Sequence, residues 1–518
     1  MITTAAGPRV VVVGAGAAGA LMTLHLARAA AQRSSGLDVV VVDPVSTLGA
    51  GTAFGTRDEA HLLNVPAAGM SALPEDPAHF VAWRRRTCAE TAGPDEFAPR
   101  RSYAQYLDHT VRSALANAEG RVRLRVRAGT AVQLDRRARS VLVGLDDGTR
   151  IQADAVVLAT GLSRPGFSWA PDELVRSDFF IADPWVPGAL DVVSRDRTGP
   201  ADVLLVGTGL TMVDIAATLG QRPRKGRVLH AISRSGVRPH RHAAVIAPPV
   251  IPDVADWGSS IAELRRRMAA HISHVEATTG DWRPGVDGLR HQLSTLWSRL
   301  SESDRMAFLA EDAGAWNRMR HRMPPRSAEA LDGLLQSRRL TVNAATVQRV
   351  RALAGGGLHV TLDDGSERDV GWVINATGPR TDIRAWNNPL VDNLLRTRTG
   401  GVRFGVVSTA GLGLRTRAGR LVDSRGRTTA PVWALGALLR GDLWESTAIP
   451  EIRMQAHALA TAVLDRLDAV GGPDQWPTDP RRSTSVVTRC QTIDVKTMTH
   501  AASATHAITE PMSPTIGR

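Results

Sequence analysis

Gly14-Ala15-Gly16-Ala17-Ala18-Gly19, with Asp43 standing 24 positions beyond the last glycine, is the first pattern with residue types and spacing suited to chemistry. Gly14 permits a tight turn, Gly16 lets the backbone come close to a pyrophosphate, and Gly19 lets a helix pack against a strand. Ala17 and Ala18 open that helix, whose free N–H groups and positive dipole end favour phosphate. Asp43 is placed to accept hydrogen bonds from an adenosine ribose. A second loop, Gly207-Thr208-Gly209-Leu210-Thr211, has no acid at the matching distance; its next strand ends in Ser233-Arg234-Ser235-Gly236. An arginine flanked by hydroxyls suits a 2′-phosphate, so NADPH is expected over NADH. The alternatives are an arginine that merely leaves the strand for solvent, or one that stacks on adenine.

Other reactive groups are sparse. Cys88 and Cys490 are the only cysteines and form no CxxC, which argues against a disulfide framework or a dithiol reductase. His240 with His242 and His271 with His274 lack a carboxylate or cysteine at ligand spacing, so no metal site is expected.

The elements that must hold these loops follow from periodicity. Val10 to Val13 reads as a buried strand, the segment to about Ala31 as a helix, and Val39 to Val42 as the next strand. Val203 to Val206, a helix from Met212 to Leu219 and the strand Val228 to Ile232 repeat the pattern. Each unit closes on a similar segment, VLVGLDDGTRIQADAVVLATG from Val141 to Gly161 and LHVTLDDGSERDVGWVINATG from Leu358 to Gly378. Both read as a hairpin turned at Asp-Gly, then a buried strand ending in Ala-Thr-Gly. The fold class expected is α/β, with two Rossmann-type dinucleotide-binding domains, the second inserted in the first, and a helical insertion. The expected boundaries are residues 1–165 for the first part of the first domain and 166–380 for the second, including helices at about 254–330. Residues 381–470 return to the first domain, and 471–518 form a flexible tail. The insertion carries Trp257, Trp282, Trp297 and Trp316, read as core residues, with a lid over substrate as the alternative.

At 518 residues, 43% hydrophobic and 22% charged, the chain suits several globular domains. No apolar run reaches bilayer length and no signal-peptide core follows Met1, so a cytoplasmic location without membrane contact is expected. The formal charge of +12 is nearly all arginine, since Lys225 and Lys496 are the only lysines. The arginines are dispersed; from Arg121 to Arg127 they alternate with apolar residues as in a half-buried strand. Nucleic acid is therefore not expected as a partner.

Further segments resemble a family of bacterial FAD/NAD(P)-binding proteins, within the two-Rossmann flavoproteins that include flavin-containing and N-hydroxylating monooxygenases. They are Gly51-Thr52-Ala53-Phe54-Gly55-Thr56, His61-Leu62-Leu63-Asn64-Val65-Pro66, Pro99 to Leu107, Asp281-Trp282-Arg283, His321-Arg322-Met323-Pro324-Pro325 and Gly441 to Arg453. The resemblance runs over roughly residues 9 to 465. It implies FAD on the first loop, with His61 to Pro66 under the flavin and Thr160-Gly161 close by. Gly378, closing the second Ala-Thr-Gly, and Gly436, ending the late strand from Val432, are read as cofactor-side positions with the second loop's NADPH residues. Such flavoproteins carry an acid after the glycine at Gly436; here Ala437 stands there, and Asp442 is the possible substitute. The implied activity is an NADPH-using monooxygenase of a small molecule, acting with O2 through a flavin C4a-hydroperoxide. A dehydrogenase or reductase without oxygen insertion, and a flavin-binding redox sensor, remain alternatives. Asn64, Asp442 and Glu445 are the expected catalytic or substrate-side residues, with turn, packing or capping roles as the plainer readings.

Overall fold

The computed structural model describes residues 7–33, 36–45, 47–87, 92–222, 224–395, 406–428, 430–470 and 490–492. The strand Arg9–Val13 lies between Leu37–Asp43 and Ala155–Leu158, parallel to both. The sheet extends through Val122–Ala128 on one side and Val432–Ala434 on the other. Its valines divide by parity. Val10 and Val12 pack under the helices Ala17–Ala31, Arg100–Asn117 and Ile449–Val470, while Val11 and Val13 face a three-stranded antiparallel layer. A parallel strand covered on both faces needs such an unbroken apolar run.

The second sheet repeats this design. Its order is Leu340–Ala344, Leu229–Ser233, Val203–Val206, Trp372–Asn375 and Phe180–Ile181, all parallel. The helices Leu210–Gln221 and Pro325–Gln336 cover one face, and the hairpin layer beginning at Val347–Ala352 covers the other. The helix expected from Met212 starts at Leu210, because Gly209 is its N-cap. The chain leaves the first sheet after Ala155–Leu158, builds the second, and returns through the short strands Thr416–Arg417 and Arg420–Leu421 to Val432–Ala434. The two Ala-Thr-Gly exits run side by side, joined by a bridge between Pro165 and Pro379.

Between the second sheet's strands stand the helices Ile261–Thr279, Arg283–Arg290, Leu293–Arg299, Glu302–Glu311 and Ala313–Arg320. Trp257, Trp297 and Trp316 form their core, and Trp282 packs at its edge. Leu412 and Trp444 from the return segment complete that core, so the insertion is docked on the first domain. The alternating arginine stretch is the strand Val122–Ala128, where Arg125 pairs with Asp38 and Arg127 with Asp147. The expected tail falls outside the described residues, except for Cys490–Thr492, which pairs antiparallel with Val122–Ala128. No helix among the described residues is long and apolar enough to cross a membrane.

Candidate functional site

The first glycine loop is built as its residues require. Gly14 has φ +108° and donates its amide to Val42 O at 2.8 Å. A side chain there would meet Ala159 O at 2.3 Å, which sets the loop against the Ala159-Thr160 crossover. Gly19 lies so close to Gly14 O that a Cβ would fall 1.8 Å from it. Gly16 is different: it is the N-cap of Ala17–Ala31, with no side-chain cap and no acid in the first turn. The amides of Ala17 and Ala18 therefore have no acceptor within the helix. Asp43 holds the loop from its far side, accepting from Ala15 N at 2.9 Å and from Val45 N at 2.8 Å.

Two more expected positions meet this loop. Thr160 carries a buried Oγ1 with no hydrogen-bond partner among the described residues, and Gly161 follows at φ +71° beside open space. Gly436, at φ +69°, comes within contact range of Ala18, and its amide donates to Gln455 Oε1 at 3.0 Å. Bare helix amides, an unpartnered hydroxyl and glycines with room above them fit a dinucleotide at this sheet end.

The second loop has the same construction. Gly207, at φ +116°, lies against Ala376 O, and Gly209 caps Leu210–Gln221 with nothing near its missing Cβ. Thr211 lies in the first turn of that helix, and Gly378 repeats Gly161 at φ +80°. Arg234 is exposed at the strand end, without a hydrogen bond or ion pair to the described residues. Ser233 is already engaged, with Thr208 Oγ1 at 2.8 Å and Gly236 N at 3.0 Å. Its hydroxyl shapes the loop as well as facing outward.

The remaining expected residues fall into separate settings. Asn64 is half-buried, and its carbonyl faces His242 Nε2 at 3.1 Å. Burial, with Arg322 nearby, pushes His242 down to about 4. Asp442 accepts from Thr416 N at 2.7 Å and Thr416 Oγ1 at 3.0 Å, so it anchors a short hairpin; burial raises its carboxyl, which these bonds oppose. Glu445 is buried and accepts from Trp316 Nε1 at 3.3 Å, with Arg320 Nε 3.8 Å away. The structure brings the first-loop residues together with Thr160, Gly161 and Gly436. It does not bring Asp442 together with Glu445 in one hydrogen-bonded group.

Motif spacing missed a buried network that joins the two sheets. Arg100 donates to Leu62 O at 3.0 Å and to Asp214 Oδ2 at 2.6 Å. His61 bonds Thr56 Oγ1 at 2.7 Å and Thr218 Oγ1 at 2.9 Å, and Thr218 donates to Asp58. Burial lowers His61, opposed by Asp214. Asp214 and Thr218 sit inside an apolar helix, and that is the one signal the sequence offered. Among the described residues no three His, Cys, Asp or Glu side chains gather as a metal site.

Residues 11–163 match the FAD-NAD(P)-binding family model. The same overall fold is found in an L-lysine 6-monooxygenase from Pseudomonas syringae, at TM-score 0.57 and 16% identity over 88% of this chain and 99% of that one. The likeness is one of fold, and the FAD-NAD(P)-binding match lies within the first sheet's half of the chain. Two further solved structures with this fold are an ornithine hydroxylase from Pseudomonas aeruginosa and an FAD-bound cadaverine monooxygenase from Erwinia amylovora. The first has TM-score 0.54 and 13% identity over 89% of this chain and 100% of its own. The second has TM-score 0.53 and 15% identity over 88% and 94%. No curated protein matches the sequence.

Proposed function

We propose that this chain is an FAD-dependent, NADPH-using monooxygenase of a small molecule. The observation that carries the reading is the pair of bare glycine-capped helix termini, each at the carboxyl end of its own parallel sheet, on crossovers that touch at Pro165 and Pro379. The three solved structures named above, which share the fold, bear oxygenase or hydroxylase names.

In this reading Gly14, Gly16, Gly19 and the amides of Ala17 and Ala18 hold the FAD pyrophosphate. Asp43 holds the ribose, and the free hydroxyl of Thr160, with Gly161 and Gly436, borders the flavin half. Gly207, Gly209, Thr211 and Gly378 receive NADPH, and Arg234 pairs with its 2′-phosphate. Asn64 and Glu445 stand on the substrate side, while Asp442 secures the segment that carries Glu445. FAD held by these residues would supply the redox chemistry. The balance is NADPH, H⁺, O2 and substrate going to NADP⁺, water and oxygenated substrate. The protein's part is to orient the two cofactors and exclude water; Arg100, bonded to both Leu62 and Asp214, ties the flavin-side segment to the NADPH helix.

The test is the absorbance spectrum of the purified holoprotein, followed anaerobically with NADPH and then in air. Flavin bands that bleach with NADPH and return with oxygen support the reading. A protein that takes up no FAD, or whose flavin NADPH leaves oxidised, removes it.

A further inference from the structure

We propose that Arg320 and Arg440 form a recognition site for a carboxylate group of the substrate, between the helical insertion and the return segment. The word substrate rests on the monooxygenase reading; the anion site itself rests on the following geometry.

The helix Ala313–Arg320 puts Trp316 and Arg320 one turn apart on the same side, and both reach Glu445. Arg320 is only 5% exposed, yet its Nε and Nη2 have no hydrogen-bond partner among the described residues. Arg440 stacks on Trp444 at 4.9 Å and has no hydrogen bond or ion pair to any described residue. The neighbouring arginines each have a close carboxylate, Arg290 bonding Glu451 at 2.6 Å and Arg322 bonding Asp287, with only the Nε of each left without a partner among the described residues. Among the described residues Glu445 is thus the single carboxylate left for these two guanidinium groups, which leaves one positive charge in excess. A buried guanidinium without a close partner is costly, and a second carboxylate would complete both.

The backbone is bent to keep Glu445 there. Trp444 has φ 60° and ψ −68°, closed by Glu445 N donating to Leu443 O at 2.8 Å. This is a strained γ-turn, rare for a bulky residue and held by its surroundings. Trp297 and Phe308 clamp the Trp444 ring at 5.3 and 5.1 Å. The position also suits a substrate. His242, which bonds Asn64 O, donates its amide to Met323 O in the segment that follows Arg320. The crowding of positive charge is visible in His321, which burial, with Arg320 and Arg440 around it, pushes down to about 3.

The test is calorimetric titration of the oxidised, FAD-loaded full chain with glutarate and butyrate, against the neutral glutaramide and butyramide. Carboxylates are expected to bind at least tenfold more tightly than the amides. Arg320→Gln and Arg440→Gln should each weaken carboxylate binding by tenfold or more while keeping full FAD content. Arg440 has no hydrogen bond to lose, so its variant stays informative if Arg320→Gln does not fold. Equal binding of acids and amides, no binding of either, or unchanged binding in Arg440→Gln overturns the proposal. A shifted flavin midpoint potential with carboxylate binding intact would assign these arginines to the reduced flavin instead, and also overturns it. The titration uses no NADPH and no turnover. A flavin that NADPH cannot reduce would remove the monooxygenase reading and leave the anion result standing.

Discussion

Gly16→Ala separates what the glycine loop does for the protein from what it does for a bound cofactor. Gly14 and Gly19 are required by the fold itself: a methyl group would lie 2.3 Å from Ala159 O in the first case and 1.8 Å from Gly14 O in the second. Gly16 has φ −61° and ψ −171°, open to any residue, and its Cβ would meet only Gly51 Cα, at 3.7 Å. Two small effects on stability then oppose each other. Alanine is a poorer N-cap than glycine, but it lowers unfolded-chain entropy by about 0.4–1 kcal/mol. The urea midpoint of apoprotein should therefore move by the equivalent of less than about 1 kcal/mol. A methyl in the path of a pyrophosphate behaves as overpacking and costs about 1–3 kcal/mol, or roughly 5- to 150-fold in Kd. Gly209→Ala, with nothing within 4 Å of its Cβ, is the counterpart for NADPH. Fluorescence titration should show Gly16→Ala impaired for FAD and Gly209→Ala impaired for NADPH, each with parental stability. Parental FAD affinity in Gly16→Ala, or a stability loss above about 2 kcal/mol in the apoprotein, would refute the reasoning.

Arg234→Ala should weaken NADPH about 10- to 150-fold and leave NADH nearly unchanged, since a charge-assisted bond to phosphate contributes about 1.5–3 kcal/mol; equal effects on both refute the 2′-phosphate role. Asp214→Asn leaves the half-buried Arg100 without its charge partner and should cost about 1–3 kcal/mol in urea unfolding. The double variant Arg100→Met with Asp214→Leu should recover much of that loss, and strict additivity of the two single effects would show that the pair is not coupled. His25 is held down to about 4 by burial, with His457 next to it. The unfolded chain takes up this proton near 6.5 while the folded chain resists it. Its contribution is thus complete above pH 6.5 and falls by about 3 kcal/mol as the pH drops toward 4. His25→Gln should flatten the urea midpoint against pH over that window, and an unchanged slope sinks the assignment.

The sequence by itself determined the two sheets, the glycine loops and the order in which the chain visits them. These are local matters. A strand buried on both faces must be continuously apolar, a turn at positive φ selects glycine, and both signals sit within a few residues, as in Val10 to Gly19 and Val203 to Gly209. The repeated Asp-Gly hairpin before Ala-Thr-Gly carried the insertion topology for the same reason. Docking decided the rest. Arg100 and Asp214 are 114 positions apart, and Trp316 and Glu445 are 129 apart. Neither pair has a spacing rule, because each side chain comes from a different layer. Asp442 meets Thr416, 26 positions earlier, through one carboxylate oxygen, a contact no motif spacing carries. Buried ion pairs and hydrogen bonds are set by which surfaces meet, and periodicity along one chain carries no record of the distance between two elements after they pack.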